Sequence, residues 1–249
     1  MCLIVFDWNP TQGLRLVANR DEFHARPSAA LNWWAEQPQI LAGRDLQAGG
    51  SWLGLSRQGR FAAITNVREA GAETGPRSRG HLVRDFLASS SSPHVWLEDL
   101  EPQAYPGFNL LLLAGKELVY ISNRGDQGAQ TLAAGLYGVS NARLDTPWPK
   151  LCAARDGLAA LPADAPLEDW LQITSRQQPW PDTELPDTGV GVELERLLSP
   201  PFIRSPAYGT RCTTALHWQP TGAEILERRF DASGSALGDS HFQLDFAAP

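Results

Sequence analysis

The chain has 249 residues, 43% of them hydrophobic and 20% charged, with nine tryptophans, a globular composition that excludes a disordered, collagen-like or coiled-coil polymer. At about 150 residues per domain, this length allows one large domain or two small ones. The net charge of −7 argues against nucleic acid as a partner, and the cations are 19 arginines against only Lys116 and Lys150, planar forks suited to gripping carboxylate or phosphate at two points.

Residues 3–8 are apolar and β-branched, residues 9–13 (Asn-Pro-Thr-Gln-Gly) are turn chemistry, and residues 14–18 alternate, which predicts a hairpin opening at residue 2. The polar run Asn19-Arg20-Asp21-Glu22 follows, then a Trp-rich, Pro-punctuated stretch at 27–38. Gly49-Gly50-Ser51 leads into strand candidates at 52–55 and 60–67, a second hairpin about Gly59. From Arg79 the apolar period becomes helical, at Leu82, Val83, Phe86 and Leu87, and the serine run before Pro93 predicts where that helix ends. Residues 108–114 and 118–123 read as a third hairpin, 150–161, 167–173 and 189–198 as helices, and 210–218, 224–230 and 241–246 as closing strands. Strands, then helices, then strands predict two sheets with helices outside, in one domain spanning 1–249. The Pro-rich acidic stretch 177–187 is expected to be a mobile surface excursion.

Three cysteines, Cys2, Cys152 and Cys212, do not make a disulfide framework and fit a reducing, cytoplasmic setting. No basic segment or small-residue cleavage site flanks the short apolar run 2–6, so no signal peptide is expected. The longest later run, 110–114, is far short of the ~20 residues a membrane span needs.

Cys2 carries the most chemistry. It is small enough for Met1 to be removed, which would place a thiol beside a free α-amine of pKa about 7.7 to 8.0, a nucleophile and a base in one residue. Position alone fits a small buried hydrophobe opening a strand better than a nucleophile. The predicted hairpin returns Arg20 and Asp21 to the chain start, where a guanidinium favours thiolate and a carboxylate orients the amine.

On these residues the sequence resembles the NRDE family, also called the transport and Golgi organisation protein 2 family, named for the run at 19–22. Family-like segments also stand at 26–27, 49–54, 63–66, 78–80, 108–110, 122–124, 137–150 and 209–211, in order and across essentially the whole chain. The family looks like a relative of the N-terminal nucleophile hydrolases, which implies an α+β fold, a four-layer α-β-β-α sandwich of two mainly antiparallel sheets. The resemblance carries catalytic roles onto Cys2, Arg20, Asp21, Asn66, Asn141 and Arg211, with Asn19, Glu22, His24 and Trp52 around the substrate. It implies hydrolysis or acyl transfer at an amide or thioester bond of a small molecule, with oxyanion donors such as Asn141, and with no metal and no required cofactor.

The family's proposed roles in haem trafficking and acyl-coenzyme A or lipid handling imply an alternative, a non-catalytic carrier using the same cleft. Haem as cargo has candidate ligands in His24, His81, His94, His217, His241, Cys2 and Cys212, without a Cys-Pro or Cys-x-x-Cys-His motif. Zinc-finger spacing is absent. For acyl-coenzyme A, Arg20, Arg26, Arg79 and Arg211 offer phosphate clamps, and Trp33, Trp34 and Trp52 offer an apolar wall near Cys2.

Overall fold

The computed structural model describes residues 2–71, 75–162 and 164–246; Met1, whose removal the nucleophile reading requires, lies outside them. The first hairpin is β1 (Cys2–Asn9) and β2 (Gly13–Phe23), followed by β3 (Ser28–Trp33), β4 (Ile40–Asp45), β5 (Leu53–Ser56) and β6 (Phe61–Asn66). Helices α1 (Gly80–Ala88) and α2 (Pro93–Glu98) precede β7 (Phe108–Ala114), β8 (Glu117–Ser122), β9 (Gln130–Thr131) and β10 (Gly135–Val139). Helices α3 (Pro149–Ala160), α4 (Leu167–Trp170) and α5 (Val192–Leu197) lead to β11 (Tyr208–Gln219), β12 (Gly222–Phe230) and β13 (Ala236–Asp245). One antiparallel sheet runs β10-β1-β2-β11-β12-β13 and the other runs β3 to β9 in sequence order.

Side-chain alternation explains the layering. Along β1, Ile4, Phe6 and Trp8 point between the sheets, where they meet Leu16, Leu55, Phe61, Leu111 and Leu113. Leu3 and Val5 point the other way, beneath Leu151 and Leu158 of α3 and Trp170 of α4. The second sheet repeats the arrangement, with Ala62, Ile64, Leu110 and Leu112 under Leu82, Val83, Phe86 and Leu87 of α1. The result is four layers, helix, sheet, sheet, helix, as the α+β expectation required. Strands apolar on both faces are strands covered on both faces. Each fully buried Leu or Phe contributes ~1.5–3 kcal/mol, so three stacked contact layers hold the sheets at fixed spacing. Among the described residues no helix is long and apolar enough to cross a membrane.

Several expectations needed correction. The 27–38 stretch holds β3, an edge strand whose register with β4 shifts between Ala29 and Asn32, so its alternation is broken. Strands β4, β9 and β10 carried no clear signal; in β4, Gly43 stands where a Cβ would lie 2.3 Å from the Trp52 ring, an interruption in an otherwise alternating strand. The serine run ends α1, but Pro93 at once opens α2, with the Ser92 hydroxyl accepting from Val95 N–H at 3.4 Å. The helix expected at 167–173 tightens into a 3₁₀ turn over Leu171–Thr174, and the one expected at 189–198 is only α5. The 177–187 excursion is tethered: Asp182 pairs with Arg196 at 2.6 Å, and Trp180 N–H donates to the Ser199 hydroxyl at 3.0 Å.

Candidate active site

Register places the first two candidates together. Cys2 stands opposite Arg20 in the β1–β2 ladder, so both side chains project between the sheets, while Leu3 and Asn19 project toward the helices. Cys2, Arg20, Asp21, Glu22, Trp52 and Asn66 all line one pocket of about 370 Å³ at the end of the sheets.

Arg20 is 6% exposed and lies over Trp52, its guanidinium carbon 4.3 Å from the ring centroid. Glu22 approaches Arg20 at 4.0 Å and Arg26 at 3.9 Å, and Arg26 is tied to Asp45 at 2.6 Å, a charged rim that continues onto β4. Asp21 is buried, accepts the Thr210 hydroxyl at 2.6 Å and, through its backbone carbonyl, the Tyr208 hydroxyl at 2.9 Å. Burial pushes the Asp21 carboxyl above its ordinary range, against the pull of Lys150, Thr210 and Arg20. Burial also pushes the Cys2 thiol up, helped by Asp21 and opposed by Arg20.

The second sheet reaches this corner through a polar ladder. Tyr120 donates to Asn109 at 2.7 Å, Asn109 to Thr65 at 3.0 Å, Thr65 to the Ser140 carbonyl at 2.6 Å, and the Ser140 hydroxyl to the Cys2 carbonyl at 3.1 Å. Asn141 is fully buried behind the wall. Its amide donates to the backbone and side-chain oxygens of Asn66 at 3.0 and 3.1 Å, which leaves the Asn66 amide as the donor on the pocket side, engaged among the described residues only by a 3.3 Å contact to the Val67 carbonyl. Below the pocket, Ser51 N–H donates to the Gly80 carbonyl at 3.0 Å, and a Cβ on Gly50 would sit 2.3 Å from that carbonyl carbon, so glycine is what lets the loop touch the start of α1.

A model for the family described as Transport and Golgi organisation 2 matches residues 1–232. The chain belongs to that family. A human relative, "Transport and Golgi organization protein 2 homolog", is 35% identical over 243 residues, covering 87% of this chain and 88% of its own. The Drosophila melanogaster "Transport and Golgi organization protein 2" is 26% identical over 245 residues, 85% of each. Among solved structures, the "Caenorhabditis elegans N-acylethanolamine-hydrolyzing acid amidase (NAAA) ortholog" is similar at TM-score 0.47 and 12% identity, over 71% of this chain and 86% of that one.

Not every residue singled out in this member of the Transport and Golgi organisation 2 family lies on the pocket wall. Asn19 is buried on the helix side, where its amide donates to Thr174 and Pro201 carbonyls and its oxygen accepts the Thr174 and Thr213 hydroxyls, filling its bonding capacity. Arg211 directs Nη1 at the carbonyls of Phe23, His24 and Arg26 at 3.1 to 3.3 Å, clamping the turn after β2. His24 contacts the Ser205 carbonyl at 3.1 Å, and none of the five histidines lines the pocket. Trp33 and Trp34 are also off the wall; Trp34 packs beneath α1 and only Trp52 of the three faces Cys2.

Other residues join the site from far along the chain. Arg77 and Arg79, just before α1, bring two more guanidiniums to the wall. Lys150 is 2% exposed, donates to the Leu198 carbonyl at 2.9 Å, and is pulled down to about 8 by burial and by Arg68. Arg68 itself forms a buried pair with Glu195 of α5. The available signal for Lys150 was its place on the apolar stripe of α3 with Leu151, Ala154 and Leu158.

Proposed function

We propose that this chain catalyses acyl transfer, as a hydrolase or acyltransferase acting on an amide or thioester bond of a small molecule, with Cys2 as an N-terminal nucleophile. The observation that carries the reading is the meeting of Cys2, Arg20, Asp21 and Asn66 on one pocket wall. After Met1 removal, the α-amine takes the thiol proton as sulfur attacks the carbonyl carbon. Asn66 Nδ2, oriented by Asn141, donates to the developing oxyanion. The ammonium then protonates the leaving amine or thiolate, and the amine activates the water that releases the acyl group. Arg20 favours thiolate and Asp21 holds the amine. The three free thiols suit a cytoplasmic setting.

The test is intact mass, which reads Met1 removal, followed by covalent loading with an acyl probe and a panel of amides and thioesters. Loading at Cys2 that disappears in Cys2→Ala is expected; turnover by protein that retains Met1 sinks the mechanism.

A carrier of acyl-coenzyme A, lipid or haem is the second reading. It is favoured by one observation, that Arg20, Arg26, Arg77 and Arg79 all line the pocket, guanidiniums apt for phosphate or carboxylate. Haem suits this wall less well, since among the described residues Cys2 is its one soft donor and no histidine faces it. Saturable acyl-coenzyme A binding that survives Cys2→Ala without turnover favours the carrier.

A further inference from the structure

Beside the Arg20–Trp52 pair lies a second cavity, of about 40 Å³, that the acyl-transfer reading does not use. Strand register builds it. Cys2 stands opposite Arg20, Arg20 opposite Cys212, and Cys212 opposite Arg229, so cysteine and arginine alternate in one row across β1, β2, β11 and β12. Facing residues of antiparallel strands share a side, so Arg20 and Arg229 both look into the space between the sheets. Arg211, bulged out of β11 beside Cys212, brings a third guanidinium to the same wall.

Charge does not close there. Among the described residues, Nη1 of Arg20 and Nε of Arg211 and Arg229 are sealed from solvent with no hydrogen-bond partner. Glu227, the one acid on this wall among the described residues, already accepts Leu31 N–H at 2.7 Å and the Cys212 thiol, and burial pushes its carboxyl up. Glu22 reaches Arg20 only at 4.0 Å. A guanidinium does not shed its proton in a protein, so buried Arg20 and half-buried Arg211 and Arg229, each with one nitrogen short of a partner, call for an anion. One water needs about 10–15 Å³ of such space, so this cavity takes a group the size of a tetrahedral oxyanion and excludes an acyl chain.

We propose that this cavity binds one small inorganic oxyanion, of phosphate or sulfate size, between Arg20, Arg211 and Arg229. The site stands apart from the larger pocket, with which it shares the Arg20–Trp52 pair as a common wall, and it does not depend on Cys2 acting as a nucleophile.

The test is calorimetric titration of inorganic phosphate into the full chain at constant ionic strength. One saturable site is expected, and Arg229→Gln weakens it at least about tenfold, the worth of one charge-assisted hydrogen bond. Arg77→Gln, which removes a cation from the larger pocket alone, leaves the Kd unchanged. An unchanged Kd in Arg229→Gln, loss of binding in Arg77→Gln, or no saturable binding by the wild-type chain overturns the proposal. Should Arg229→Gln fail to fold, Arg229→Lys keeps the charge without the fork; weakening there supports the site and an unchanged Kd overturns it.

Discussion

Arg20 rests over the face of Trp52 at 4.3 Å, and the room for that ring is made by a third residue, Gly43, whose missing Cβ would lie 2.3 Å from it. Gly43→Ala is expected to push Trp52 out of place without removing any group from the pocket. Overpacking of this kind costs roughly 1–3 kcal/mol. A lowered urea midpoint and weakened ligand or probe binding check this; a variant with wild-type stability contradicts it.

Arg20 pulls the Cys2 thiol toward ionisation while burial and Asp21 push the other way. Arg20→Gln therefore raises the thiol pKa and leaves less thiolate at a given pH. One pKa unit is tenfold in thiolate, so iodoacetamide labelling of Cys2 at pH 8 should slow about three- to tenfold. Peptide mass spectrometry reads it, with the half-buried Cys152 as internal control.

Asn66 and Asn141 should separate in kinetics. Asn66→Ala removes the proposed oxyanion donor, which costs roughly 10²–10³ in kcat with little change in KM. Asn141→Ala leaves the part-buried Asn66 oxygens without their donor, at about 1–3 kcal/mol of stability, and touches kcat only through the orientation of Asn66. Equal kcat losses without a stability difference would contradict this division of roles.

Lys150 makes stability depend on alkaline pH. Its ammonium titrates at about 8 in the fold. In the unfolded chain it titrates near 10.4. Between those values the unfolded chain holds the extra proton, so this group's contribution becomes more favourable as pH rises through the window. Below about 8 the full cost of a buried charge is present. The stability of Lys150→Met relative to wild type should therefore be highest near pH 7 and decline toward pH 10, and urea midpoints across that range measure it. A difference that stays flat removes Lys150 from the electrostatics of the site.

How much of this was legible in the sequence followed from burial geometry. Strands such as β1 and β7 announce themselves because both faces are covered and residues 3–6 and 110–114 are unbroken apolar runs, whereas β3 sits at an edge with a register shift and a mixed face. α3 is marked by Leu151, Ala154 and Leu158 at helical spacing. In the run at 19–22, alternation divides neighbours that look equivalent in one dimension. Arg20 and Glu22 face the pocket, while Asn19 faces helices and ties them down. Arg77 and Asp45 join the pocket only through long-range packing, which no local pattern encodes, and the apolar stripe of α3 marks Lys150 as buried without saying what it is buried against.

The extra residue in β11 has a consequence for what the ladder can lose. Thr210 pairs with Asp21 and Cys212 with Arg20, so Arg211 has no opposite number. Excising it would restore an unbroken ladder in which every remaining residue keeps its face and its neighbour. What would go is the grip on the carbonyls of Phe23, His24 and Arg26, and with it the anchorage of the segment that carries Arg26 toward Asp45. The sheet can be built without that residue; the rim of the pocket is what depends on it.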